Sequence, residues 1–211
     1  MTAVRLVVFA DLHLGTKKAP GLRWAYEALS EATRRSPDVV VFAGDLLDKK
    51  KAVEADLADG VALFRHITED LNLPLVHVWG NHDVGSGLLP RFPDLPGVHR
   101  PSGEGIEEIR VPGIPLVFHA VNVIRDPDPR DLLENLPRVE EPGHIGILHS
   151  EVEGQYTKNP CLPTTLEHLL SRGYGACLLG HVHTPVVLNE DPWIGWVGMG
   201  KMLELQVPPL P

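Results

Sequence analysis

A chain of 211 residues with 43% hydrophobic and 22% charged side chains has the composition of a globular protein with a sizeable core, which excludes a largely disordered chain. Its formal net charge of -9 argues against a broadly basic surface for sequence-blind nucleic-acid binding, while leaving room for a local positive site. Two cysteines, Cys161 and Cys177, give no disulfide framework and read as a loop thiol and a buried strand thiol. With no basic and apolar leader, and no run near the ~20 residues of a membrane span, the expected setting is reducing and cytoplasmic, without a membrane partner.

Leu6 to Ala10 is a continuous apolar run of strand length. Leu22, Tyr26, Leu29 and Thr33, with Ala25 and Ala32 beside them, mark a helix face that stops before Pro37. Val39 to Ala43 is a second, all-apolar strand, expected to be covered on both faces. Val53, Leu57, Val61, Phe64 and Ile67 repeat at helical spacing, and Pro74 to Trp79 forms a third strand. This β-α-β-α-β order predicts parallel strands joined by crossover helices. Residues 84–143 are rich in Gly and Pro, with short strands at Glu107 to Val111 and Leu116 to Val121 and a short helix near Arg130 to Leu136. Ile145 to Leu148 is a strand ending in His149, Thr165 to Ser171 a helix, and Ala176 to Leu179 a strand running into "GHVH". The remainder from Pro185 reads as antiparallel hairpins with a Pro-rich tail, and residues 1–211 as a single domain with no capping domain.

Five apolar runs end in polar clusters: "FADLHLG", "FAGDLLD", "VWGNHD", "GILHSE" and "LLGHVHTP". The carboxyl ends of strands in α/β sheets are where ligands bind, so five polar ends arriving at one sheet edge point to a site. Oxygen and imidazole donors without thiolates suit divalent Mn, Fe, Zn, Co or Ni better than a structural cysteine site. Asp11 and His13, on an extended segment, are expected on one side of the backbone, and so are His181 and His183.

The order D-x-H, G-D, G-N-H-D, a separate H and G-H-x-H, from Asp11 to His183, resembles the signature of the calcineurin-like metallophosphoesterase superfamily. The resemblance implies an α/β protein, a four-layer α/β/β/α sandwich of two mixed sheets flanked by helices. It implies two divalent metal ions, Mn²⁺ first, with Fe²⁺, Zn²⁺, Ni²⁺ or Co²⁺ as alternatives. Asp11, His13, Asp45 and His183 would hold one ion. Asp45, Asn81, His149 and His181 would hold the other, with Asp45 bridging them. His82 would stand free of the metals as the catalytic acid beside the scissile phosphate, oriented by Asp83. Hydrolysis would use a metal-activated hydroxide, with ions about 3.5–4 Å apart clamping the attacking and leaving oxygens. The charge of the ions exceeds that of Asp11, Asp45 and a hydroxide, so the pocket stays positive within an acidic chain.

"DLHLG", "GDLLD" followed by Lys49, Lys50 and Lys51, and "LHSEVEG" further resemble the SbcD-like DNA repair exonucleases. That implies a DNA phosphodiesterase or exonuclease, with the three lysines, and Lys17 and Lys18, as a rim for substrate phosphates. Those nucleases carry a capping domain and an ATPase-binding segment after the core. Here the chain ends soon after "GHVH", so an ATPase partner of the SbcC type is not expected. "DLHL" also resembles lipid-A pathway pyrophosphohydrolases, which keeps open a phosphatase, pyrophosphohydrolase or phosphodiesterase for a nucleotide or other small phosphoester. A non-catalytic interaction module is the third reading, disfavoured because every motif residue is kept. His119 is the rival to His149, whereas His66, His77, His99, His144 and His168 read as packed or solvated. Trp193 and Trp196 read as core or hairpin packing, and Asp48 as either a solvated loop carboxylate or a group supporting the ligands.

Overall fold

Side-chain alternation along the strands sets the layers of the computed structural model, which describes residues 2–131, 135–154 and 160–211. The first half of the chain forms β1 (Val4–Phe9), α1 (Gly21–Thr33), β2 (Val39–Phe42), α2 (Glu54–Arg65), β3 (Leu75–His77), α3 (Asn81–Gly85) and β4 (Val98–His99). There follow β5 (Glu107–Arg110), β6 (Val117–Ala120), β7 (His144–His149), α4 (Leu166–Leu170), β8 (Ala176–Gly180), β9 (Val186–Asn189), β10 (Trp193–Trp196) and β11 (Leu203–Val207). One sheet has the order β11-β1-β2-β3-β4 and the other β5-β6-β7-β8-β10-β9. In the first, β1 to β4 are parallel and β11 joins β1 antiparallel. In the second, β6, β7, β8 and β10 are parallel, and β5 and β9 add antiparallel edges.

Leu6, Val8, Val39, Val41 and Val76 meet Phe118, Ile145, Ile147, Ala176 and Leu178 in a core between the sheets. The alternate residues Phe9, Val40, Phe42 and Leu75 pack with Leu29 of α1 and with Leu63 and Phe64 of α2. On the far side, Leu148, Leu179 and Trp196 pack with Leu169 of α4 and with Tyr174. Strands buried on both faces need apolar residues at every position, which is why these runs read as uninterrupted. The result is the expected four-layer α/β/β/α sandwich of two mixed sheets.

Three details differ from the expectations. α2 begins at Glu54, so Val53 precedes it and is 57% exposed instead of joining the buried face. β9 and β10 form a hairpin, but β11 crosses to the other sheet, with Val4 opposite Val207. That crossing lets Leu203 and Leu205 pack against the core between the sheets. Of the helix expected near Arg130 to Leu136, residues 132–134 lie outside the described residues. No helix among the described residues is long and apolar enough to cross a membrane.

The loops after β1, β2, β3 and β8 are stitched together at one end of the sandwich. The Asp11 N–H donates to Gly44 O at 2.9 Å and the His13 N–H to Asp45 O at 3.0 Å. The buried Asp83 carboxylate accepts from the N–H groups of Gly80 (2.9 Å), Asp45 (2.9 Å) and Leu47 (2.8 Å), joining the β2 and β3 loops. The motif glycines answer to close approach. A Cβ on Gly80 would collide with Asp45 Oδ1 and lie 2.7 Å from His149 Cε1. One on Gly180 would collide with Ala43 O and lie 2.8 Å from His149 Nδ1. Gly80→Ala should therefore displace Asp45 and destabilise the fold by about 1–3 kcal/mol, the usual cost of overpacking. Urea denaturation checks this, and an unchanged midpoint would contradict it.

Candidate metal centre

Where the strands end, the backbone turns left-handed. Asp11 (φ 57°), His13 (φ 43°), Asp45 (φ 59°) and His181 (φ 96°) all have positive φ. Asp and His tolerate this conformation better than most residues, and backbone strain of this kind concentrates at functional sites. The expected strand alternation is therefore not how Asp11 meets His13, or His181 meets His183. Turns aim these side chains, and tertiary bonds hold the turns. The His181 N–H, for example, donates to Asp11 Oδ1 at 3.2 Å.

Ligand atoms of Asp11, His13, Asp45 and His183 lie within 4.8 Å of one another. His13 Nε2 is 3.0 Å from His183 Nε2, 3.5 Å from Asp45 Oδ2 and 4.0 Å from Asp11 Oδ1. Asp45 Oδ2 also lies 3.3 Å from His149 Nε2. Asn81 Oδ1 is 3.2 Å from that same His149 nitrogen and 3.1 Å from His181 Nδ1. All seven residues expected as metal ligands thus come together, in two groups that meet at Asp45. His119 does not join them. It stacks on Tyr174 with ring centroids 4.9 Å apart, and its Nε2 lies 2.8 Å from His144 Nδ1.

The donor set suits cations. His149 Nδ1 donates to Ala43 O at 2.9 Å, so its neutral ring turns a lone pair toward the Asp45 and Asn81 oxygens. Asp11 Oδ2 is buried with no hydrogen-bond partner. Acceptors aimed at acceptors in a buried site need a proton or a cation between them. In the metal-free protein, protons take that part. Burial lowers His149, but the Asp45 charge and hydrogen bond, with the Asp11 charge, outweigh it and raise the imidazole to about 9. Burial pushes Asp11 up to about 7. For Asp45 burial works upward, yet His149 and His13 hold the carboxyl below its ordinary value. Burial lowers His13 to about 4 and His181 to about 3, keeping both neutral at pH 7 with a lone pair to offer. Carboxylate, amide oxygen and neutral imidazole are what divalent first-row ions bind.

His82 lies beside the first group, its ring edge-on to His13 at 4.4 Å. The Lys49 N–H donates to its Nδ1 at 3.4 Å, and Asp48 Oδ2 is 3.7 Å from the same atom. Asp83 does not orient His82 as expected, because its oxygens are taken by three backbone N–H groups. His13, Asp48 and His82 form a further group within 4.8 Å. Lys49 also departs from its expected role as a phosphate contact: its Nζ is 2.6 Å from Asp126 Oδ2. Lys50, Lys51, Lys17 and Lys18 are exposed, and Asp48 Oδ1 accepts from the N–H groups of Lys50 and Lys51.

Two neighbours of the site were not legible as such. Asp126 accepts from Asn81 Nδ2 at 3.2 Å, and its one signal is an Asp-Pro step after the apolar run of β6. Cys161 is buried beside His149 and His181, its sulfur within 4.8 Å of their ligand atoms. A cavity of about 1090 Å³ flanks α3, lined by Trp79, Val84, Arg100, Asn122 and Ile124 among others. It holds none of the seven ligand candidates, so the chemistry rests on the clusters and not on this larger volume.

The calcineurin-like phosphoesterase family model matches residues 4–185. The chain is 26% identical over 175 residues to the metallophosphoesterase YhaO of Bacillus subtilis, covering 77% of this chain and 41% of that protein. It is 24% identical over 211 residues to the DNA double-strand break repair protein Mre11 of Saccharolobus solfataricus, covering 89% and 51%. It thus spans about half, or less, of the length of these curated relatives. A dimetal phosphatase from Danio rerio superposes with a TM-score of 0.61 at 14% identity, over 98% of this chain and 96% of that one, a likeness of fold. The family match begins at the first strand and ends beyond His183, so it takes in both ligand groups: the chain belongs to the calcineurin-like phosphoesterase family.

Proposed function

We propose that this protein hydrolyses phosphodiester bonds with two divalent ions, Mn²⁺ first among them, as a DNA phosphodiesterase or exonuclease. Metal-dependent hydrolysis of phosphoesters is the activity of the family. The observation that carries the two-ion reading is the meeting of two groups of acceptor atoms at Asp45. Asp11, His13, Asp45 and His183 would hold one ion, and Asp45, Asn81, His149 and His181 the other. Bound there, divalent ions neutralise phosphoryl oxygens and supply a nucleophile by lowering the pKa of water. Specificity for DNA is supported by the likeness to Mre11 and by the exposed Lys17, Lys18, Lys50 and Lys51, which could hold phosphates flanking the scissile one.

His82 would supply the proton for the leaving alkoxide. Because the Lys49 N–H donates to Nδ1, the neutral ring keeps its proton on Nε2; burial holds the imidazole below its ordinary pKa, with the charges of Asp45 and Asp48 working the other way. Its place beside the ligand groups supports this reading, since a donor there would stand next to the reacting phosphate.

Substrate class is tested directly. With Mn²⁺, a diester should be cleaved faster than the matching monoester; strong monoesterase activity with no action on DNA would transfer the assignment to a small phosphoester. His82→Ala should retain its metals and lose about 10²–10⁴-fold on DNA, whose leaving alkoxide needs a proton. It should lose little on a nitrophenyl diester, whose leaving group does not, and equal losses on both would refute the role. Metal binding should also depend on pH. In the metal-free protein Asp11 titrates at about 7 and His149 at about 9, so below those values each carries a proton that an ion must displace. Affinity should therefore rise with pH up to about 9, by about tenfold per unit per displaced proton, most steeply below 7 where both protons must leave. Calorimetry in buffers of different ionisation enthalpy reads the released protons, and a pH-independent affinity between 6 and 9 would contradict the ligand assignment.

A further inference from the structure

An asparagine ligand carries an ambiguity that a carboxylate does not. One end of the Asn81 amide can bind a cation and the other repels it, so orientation decides whether the residue serves the second ion. Its Oδ1 faces His149 Nε2 and His181 Nδ1. Its Nδ2 faces Asp126 Oδ1 at 3.2 Å, and an ionised carboxylate accepts only. A flipped amide would set Oδ1 against the Asp126 oxygen and point donors at the ion.

Asp126 is itself held. Lys49 Nζ lies 2.6 Å from its second oxygen, with the two side chains only 26% and 18% exposed. The lysine stem is guided by α3, where a Cβ on Gly85 would come 2.9 Å from Lys49 Cβ. Lys49 sits in the loop after β2 and Asp126 in the loop after β6. The pair therefore joins the two sheets beside Asn81, and neither side chain belongs to the seven ligand candidates.

We propose that Asp126 is a positioning residue for the second metal ion: it orients the Asn81 amide, and Lys49 fixes it in place. This rests on the two-ion reading above. It assigns Lys49 to the architecture of the centre and leaves substrate phosphates to the exposed lysines.

The test is Mn²⁺ titration of the metal-free full chain by calorimetry, with electron paramagnetic resonance to distinguish a coupled Mn pair from isolated ions. Asp126→Ala should weaken the second ion about 10–100-fold, the usual effect of losing a group that orients a ligand, while the first ion is retained and the coupled signal disappears. Asp126→Asn, whose amide oxygen still accepts from Asn81, should recover most of the loss and covers the case in which the alanine variant does not fold. Wild-type affinity for the second ion in Asp126→Ala overturns the proposal. So does an Asp126→Asn variant as weak as the alanine, because the effect would then be one of charge and not of amide orientation. Asn81→Ala, run alongside, separates the two levels. If it too keeps both ions, the ligand assignment falls and this inference with it. If it loses the second ion while Asp126→Ala keeps it, the positioning role alone falls.

Discussion

A buried carboxylate facing imidazole nitrogens on two sides is the constraint that organises this molecule. Asp45 Oδ2 lies 3.5 Å from His13 Nε2 and 3.3 Å from His149 Nε2. A charge removed from water is costly unless it is compensated. Around Asp45 the compensation is assembled from every side. The Ala43 carbonyl turns His149 toward it, and the His82 N–H donates to Asp45 Oδ1 at 2.8 Å. In the metal-free protein a proton on His149 balances the charge. Divalent cations would do so while also satisfying Asp11, Asn81 and the remaining imidazoles, which a single proton cannot.

The fold supplies the rigidity this arrangement needs. Strands buried on both faces anchor the loops, and helices α1 and α2 on one side and α4 on the other seal the outer faces. Four of the seven ligand candidates hold positive φ angles. Each such residue costs on the order of 1–3 kcal/mol and persists only where its surroundings over-determine it. The cross-loop hydrogen bonds from Asp11 and His13 to the β2 loop, and the absence of a Cβ at Gly80 and Gly180, are those surroundings.

Much of this was legible in the residues. Uninterrupted apolar runs announced strands covered on both sides, and polar clusters at their ends announced a site at one edge of the sheets. The motif order from Asp11 to His183 led to the family. What stayed hidden depends on contacts far apart in the chain. Asp83 reads as the natural partner of its neighbour His82, but its acceptors face backbone groups up to 38 residues away. Asp126 and Asn81 are separated by 45 residues, and no local pattern joins them. The pairing of Asp11 with His13 was anticipated for the wrong reason, because left-handed turns leave no period in the sequence whereas strand alternation does. For the same reason the last strand could be recognised as a strand while its partner, β1 at the opposite end of the chain, could not.

The two proposed cations would share Asp45. Anomalous diffraction at the manganese edge, on crystals grown with Mn²⁺, tests this most directly. Two peaks are expected about 3.5–4 Å apart, the spacing of two-metal phosphoryl-transfer sites, with the Asp45 carboxylate between them. A single peak, or two peaks with Asp45 bound to only one, would contradict it.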